Sequence, residues 1–299
     1  MALTTIADKG RFSPQFEQLQ QELLKIRELP TAPPILCELC ELLARETISA
    51  AKLAEVLERD PALTSRLLRM ANSAYFALAQ PVTEVRSACV VLGFDMVKSL
   101  AIGVTALESL GRRVGRSFDL NGFWRHSVGV GACAQRVARR LGLRETGTAF
   151  CAGVLHDIGK LVLVTLSPRR YAKLLPAPEG RSFRELEHKE YGGDHQAVGE
   201  WLGRRWGFPE PLLAVIRSHH DPPAKQGDVP WASILHVANG LASRHGFPAV
   251  PMCERCRDEE IGQRVLRELG ISPETLARLA DELKTDADRV ESFVDSARD

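Results

Sequence analysis

The stretch AFCAGVLHDIGKLVLVTL, residues 149–166, sets the hardest condition on the fold. It places an imidazole and a carboxylate, His156 and Asp157, inside a run that is otherwise almost wholly apolar. Such a run is buried in a stable protein, and a buried carboxylate is costly unless it is paired, hydrogen-bonded or bound to a metal. The chain must therefore bring partners to Asp157. In the plainer reading the partner is Lys160 or an arginine. In the other, imidazoles and the carboxylate surround an ion: neighbours on a helix point about 100° apart, yet His156 and Asp157 can both meet an ion at the helix's edge, with Gly159 allowing close approach.

The rest of the chain reads as all-α. Leu, Ala, Arg and Glu dominate, aromatics are only 6% and β-branched runs are short, so helix propensity is favoured nearly everywhere. Apolar residues recur at i, i+3, i+4, as in Leu53, Val56, Leu57 and Leu63, Leu67, Leu68. Start signals punctuate these segments: Ser49 before AAKLAEVLERD, Asp60-Pro61 before ALTSRLLRMANSAYF, Asp194 before HQAVGEWL, and Ser272-Pro273 before ETLARLADELK. VTEVRSACVVLGFDMVKSLAIGVTALESL reads as two helices broken at Leu92-Gly93, and GRRVGRSFDLNG as the best internal boundary. The expected organisation is a lead over 1–19, an N-terminal helical part over 20–120, a second helical part over 121–250 and an acidic helical tail over 251–299.

Among the eight histidines, His126, His156, His195, His219 and His220 form an ordered series with Asp157. Each has an ordinary account: His126 as a hydrogen-bonded core residue, His195 as a surface residue in a helix's first turn, and His219-His220 as partners of a helix C-terminal dipole. Taken together they offer imidazole and carboxylate donors, which suit Fe, Mn, Zn or Ni better than Ca or Mg.

The series H…HD…H…HH resembles the HD superfamily of metal-dependent phosphohydrolases, with a spacing similar to its HD-GYP-like members. A longer resemblance runs through LPTAPPILCELCELL, DPALTSRLLRMANSAYF, FWRHS, AGVLHDIGKLVL, HQAVGEWLGRRWGFPEPLLAVIRSHH and ILHVANGLA, over roughly residues 20–245. On these motifs the chain is identified as a member of the HDOD group, HD-related output domains of bacterial signalling proteins. The resemblance implies a multi-helix HD-superfamily fold with an N-terminal helical subdomain. It also implies metal ligands at His126, His156, Asp157, His195, His219 and His220, and catalytic positions at Asp157 and Lys160, the lysine beside a substrate phosphate.

Two departures bear on function. Asn239 stands where the family's closing Asp would fall, and an amide is a weak, neutral ligand. DPPAKQGDVP replaces the GYP loop, so hydrolysis of cyclic di-GMP is not implied. If one ion uses Asp157, His195, His219 and His220 and a second uses His126, His156 and Asp157, only the second lacks its anionic ligand. One transition-metal ion is therefore expected in preference to two. The resulting expectation is a regulatory module that binds signalling proteins or a nucleotide; the alternative is a metal-dependent phosphohydrolase or phosphodiesterase.

Charge and cysteine usage narrow the partners. Residues 121–257 hold 19 Lys+Arg against 12 Asp+Glu, and residues 258–299 hold 6 against 12. A basic middle offset by an acidic tail is too small an excess for a nucleic-acid footprint, and the tail could instead fold back on the middle. No apolar run approaching ~18 residues stands out as a membrane span, the start lacks a signal-peptide core, and the seven cysteines are odd in number. A cytoplasmic protein with reduced thiols and no membrane partner is expected. Cys37/Cys40 and Cys253/Cys256 have CxxC spacing but read as structural or incidental.

Overall fold

A computed structural model describes residues 14–25, 32–43, 49–115, 118–174, 182–224, 227, 229–249 and 260–298. Among these residues there are seventeen helices and no strand. The first part of the chain forms α1 (Pro14–Lys25), α2 (Pro34–Leu43), α3 (Ala50–Leu57), α4 (Pro61–Ala71), α5 (Val85–Leu92) and α6 (Phe94–Gly111). The start signals do what they promise: Ser49 Oγ accepts the Lys52 N–H, and Asp60 Oδ1 accepts the Leu63 N–H with Pro61 in the first turn. Each such cap stabilises its helix by about 1 kcal/mol. At Gly93 the chain adopts φ +88°, which a side chain would strain, and α5 and α6 meet at 118°.

The second part comprises α7 (Leu120–Arg140), α8 (Thr146–Leu155), α9 (Ile158–Leu166), α10 (Pro168–Ala172), α11 (Phe183–Tyr191), α12 (His195–Arg205), α13 (Glu210–Ser218) and α14 (Trp231–Arg244). α8 is the centre: α6, α7, α13 and α14 all pack on it, and α12 lies along α9. The apolar run 149–166 is not one helix but is broken at His156-Asp157, where the His156 Nδ1–H donates to Gly153 O and Asp157 sits at φ −97°, ψ 12°. Thr146–Leu166 is long and apolar enough to cross a membrane, which corrects the expectation that no run approaches that test. Its most apolar window is 89% buried inside the fold. Gly159 does permit a close approach, but of two helices: a Cβ there would lie 1.9 Å from His195 O on α12.

The tail forms α15 (Gln263–Glu268), α16 (Pro273–Thr285) and α17 (Ala287–Arg298). It folds back on the basic middle. Arg140 meets Glu282 at 3.2 Å, Arg125 meets Glu291 at 2.7 Å, and Arg136 pairs with Asp286, so α16 and α17 lie along α7. α17 also reaches α4, where Tyr75, Phe76, Phe150 and Phe293 form one aromatic cluster. The polar stripe of α4 makes contacts within the fold: Arg66 pairs with Glu108 of α6, and Asn72 exchanges two hydrogen bonds with the Val82 backbone. The parts over 20–120 and 121–250 share one continuous apolar core. Cys253/Cys256 and most of the DPPAKQGDVP loop's charged positions lie outside the described residues.

Candidate metal centre

The six ligand candidates come from four places in the fold: His126 from the second turn of α7, His156 and Asp157 from the α8–α9 break, His195 from the first turn of α12, and His219 and His220 from the end of α13. The local sequence sets each position. The Asp194 N-cap, whose Oδ1 accepts the Ala197 N–H, fixes where α12 starts and so where His195 points. The α8–α9 break turns Asp157 inward, where it is 1% exposed.

Around Asp157 the two carboxylate oxygens have different company. Oδ1 lies 3.3 Å from His195 Nε2 and 3.6 Å from His219 Nε2; His195 Nε2 is in turn 3.1 Å from His220 Nε2. Oδ2 lies 2.6 Å from Lys160 Nζ, 3.3 Å from His156 Nε2 and 3.7 Å from His126 Nε2. The residues that each sequence reading of the dipeptide needs are brought together. Asp157 is paired with Lys160, and the imidazoles also converge on it. Two donor sets emerge, Asp157 with His195, His219 and His220, and Asp157 with His126 and His156, each with all donor atoms within 4.8 Å of one another.

The residues fit a metal ion on three counts. Donors about 2.0–2.1 Å from a tetrahedral ion stand ~3.3 Å apart, which the Oδ1-side separations match. Asp157 Oδ1 and the Nε2 atoms of His126, His156 and His219 are buried without a hydrogen-bond partner, a costly arrangement for polar atoms that nothing else coordinates. The opposite ring nitrogens are fixed by acceptors: His126 Nδ1–H donates to Phe247 O at 2.8 Å, His156 to Gly153 O at 2.7 Å and His219 to Val215 O at 3.1 Å. A carbonyl can only accept, so the neutral His126 and His219 rings turn their Nε2 lone pairs towards Asp157.

The electrostatics follow the same plan. Burial pulls the His126 and His219 imidazoles down to about 3, with the charge of His156 adding to it at His126, and burial with its histidine neighbours holds His220 well below the usual range. These rings are neutral at pH 7, as a ligand must be. Burial alone would raise Asp157, but the positive charges of His156, Lys160 and His195 hold its carboxyl well below the carboxylate range. His195 moves the other way: burial opposes its charge, yet the Glu187 and Asp157 carboxylates outweigh it and shift the ring upward.

Sequence reasoning missed Glu187. It is fully buried on α11, and its Oε2 accepts both the His195 Nδ1–H at 2.6 Å and the His195 backbone N–H at 2.9 Å, while Tyr171 OH donates to Oε1 at 3.2 Å. A signal was present: Phe183, Glu187 and Tyr191 stand at i, i+4, i+8, which puts a carboxylate on the helix's apolar stripe. His236 was also passed over. Its Nδ1–H donates to His219 O at 3.0 Å and its Nε2 accepts the Gly262 N–H at 3.1 Å, tying the start of the tail to a ligand's backbone. Asn239, on α14, is buried with an Oδ1 that has no hydrogen-bond partner.

His220, 9% exposed, is the ligand candidate through which the cluster reaches a cavity of about 990 Å³. Arg184, Lys189, Asp221, His236 and Arg264 are among its lining residues. The volume is at the upper end for small-molecule sites.

Comparison with known proteins bears on what such a centre serves. The model of the HDOD domain family matches residues 29–222. Across 95% of this chain the fold superposes on an HDOD domain protein of unknown function from Geobacter sulfurreducens with TM-score 0.76, 24% identity and 98% of that chain covered. A candidate phosphohydrolase from Shewanella amazonensis gives TM-score 0.72 and 26% identity over 93% of this chain and 97% of its own. An uncharacterized protein of Treponema pallidum is 25% identical over 72% of this chain, and ribonuclease Y of Thermus thermophilus 31% identical over 53%. The chain spans 42% and 22% of those two relatives' lengths.

Proposed function

Because the chain belongs to the HDOD family, we propose that it is a regulatory module of bacterial signal transduction, acting in the cytoplasm by binding signalling proteins or a nucleotide. A single transition-metal ion, Fe, Mn, Zn or Ni, holds its HD pocket in shape. The observation that carries this reading is the division of labour at Asp157. Oδ1, without a hydrogen-bond partner, faces His195, His219 and His220, whereas Oδ2 already receives the Lys160 ammonium at 2.6 Å. A cation at the His126–His156 side would sit against that ammonium and, with Asn239 in place of a carboxylate, would lack a second anionic ligand. One ion polarises a phosphoryl oxygen, but the clamp that two ions place on the attacking and leaving oxygens is absent.

A second reading, a metal-dependent phosphohydrolase, is supported by the cavity beside His220 and by Lys160. There Asp157 would anchor the ion, the ion would supply Lewis acidity to a phosphoester, and Lys160 would steady the phosphate. Turnover separates the two. Elemental analysis of untagged protein should give fewer than two ions per chain, and Asn239→Asp should raise that number towards two. Hydrolysis of a nucleotide panel with Mn or Fe should stay below about 1 per second, the low end of ordinary enzymes. Faster turnover that disappears in Asp157→Asn would establish the enzyme, and a chain that takes up none of the four metals would remove the pocket's proposed role.

A further inference from the structure

Among the ligand candidates, the four rings with assigned Nδ1 partners are not held alike. His126, His156 and His219 donate Nδ1–H to neutral backbone carbonyls, those of Gly153 and Val215 one turn back along the chain for His156 and His219 and that of Phe247, beyond α14, for His126. His195 donates to a carboxylate. Glu187 is buried among Tyr171, Phe183 and the start of α12, and three donors fix it in place: His195 Nδ1–H, His195 N–H and Tyr171 OH. Tyr171 is itself held between Phe118 and Phe183, so the orientation of the carboxylate is set by packed aromatic rings and not by solvent.

We infer that Glu187 is a positioning residue whose buried charge makes the Asp157–His195–His219–His220 position the tighter of the two for a divalent transition-metal ion. The inference rests on the metal-binding reading above and adds what ranks the two positions. A carboxylate accepting from Nδ1–H pushes electron density towards Nε2, strengthening that nitrogen as a donor, and it fixes the ring plane at the same time. Only the Oδ1-side set contains a ring so partnered. That set gains an anion at one remove, whereas the His126–His156 set has neutral carbonyls behind its rings and an ammonium in front of its shared oxygen.

The test is Co²⁺ titration of the full chain, followed by visible ligand-field absorption and by competition with a chelator, for wild type, Glu187→Gln, Glu187→Asp and Tyr171→Phe. Gln keeps the size and an accepting oxygen for His195 Nδ1–H but removes the charge. Binding of the first ion should weaken about 10–100-fold, the usual cost of losing such a partner, with helix content by circular dichroism unchanged. Asp, which keeps the charge one methylene further away, should recover part of the affinity, and Tyr171→Phe should cost less than Gln. Gln within about threefold of wild type, well under that usual cost, or Gln and Asp equally weak, would overturn the inference while leaving the metal site standing. A wild-type chain that binds no Co²⁺ would overturn the metal reading itself and this inference with it.

Discussion

Two regions bring carboxylates to cations under opposite conditions. At the centre, Asp157 and Lys160 are 1% and 5% exposed and share their surroundings with histidine rings. Along the outer seam, Arg125 and Arg140 of α7 meet Glu291 and Glu282 of the tail through half-exposed side chains, and Arg136 meets Asp286, which is buried. The sequence shows both as charge patterns of similar weight. Their energetic meaning differs: a desolvated pair is costly to half-remove, while a hydrated pair is worth 0–1 kcal/mol. The seam orients the tail, and the centre is the group that could hold a metal.

The sharpest way to break that contrast is Asp157→Ala in the metal-free chain. It removes the buried carboxylate that Lys160 pairs with and should cost ~3–5 kcal/mol in urea unfolding. A loss below ~1 kcal/mol, the range of an exposed pair, would mean that water reaches Lys160 and that the centre behaves like the seam.

Acidification should also divide the two regions. His126, His219 and His220 have depressed folded-state pKa values, so below about pH 6.5 the unfolded chain takes up protons that the folded chain refuses. Each such ring removes up to ~1.4 kcal/mol of stability per pH unit, down to about 3 for His126 and His219. His195 has the opposite sign: its folded value is raised, so its contribution is complete below about pH 6.5 and is lost as pH rises through the folded value. Three rings against one predict a urea midpoint that falls steadily from about pH 6.5 to 5. A flat midpoint would show that the rings are hydrated.

The smallest effect belongs to the seam. Arg140→Ala should change stability by no more than about 0.5 kcal/mol, and that difference should vanish in about 1 M salt. A larger, salt-resistant loss would place Arg140 and Glu282 among the desolvated pairs and erase the contrast.

Much of the helix scaffold was legible because its signals are local. Ser49, Asp60, Asp194 and Ser272 each cap the helix they precede, and Gly93 marks the α5–α6 corner, since caps and positive φ depend on a few neighbouring residues. The convergence of His126, His156, Asp157, His195, His219 and His220 was legible through family resemblance, which carries long-range information that spacing does not. What spacing could not give is how Asp157 divides its oxygens between Lys160 and the rings, because that depends on the break at 156–157. Nor could it give Glu187, whose role appears only when α10 and α11 are laid beside the start of α12. That the tail could fold back on the basic middle was legible from charge, but its place along α7 was not, because charge counts carry no geometry.

The burial of the ligand set has a consequence for time as well as affinity. With five of the six candidates at 0–1% exposure and only His220 reaching the cavity, an ion cannot leave by shedding ligands one at a time into water. Release waits for the α8–α9 break and the end of α13 to part, so once a chelator is in excess the exchange rate should stop depending on its concentration. An ion held in this way acts as a long-lived record of loading, and a partner that loosens α13 would set the pace at which that record is erased.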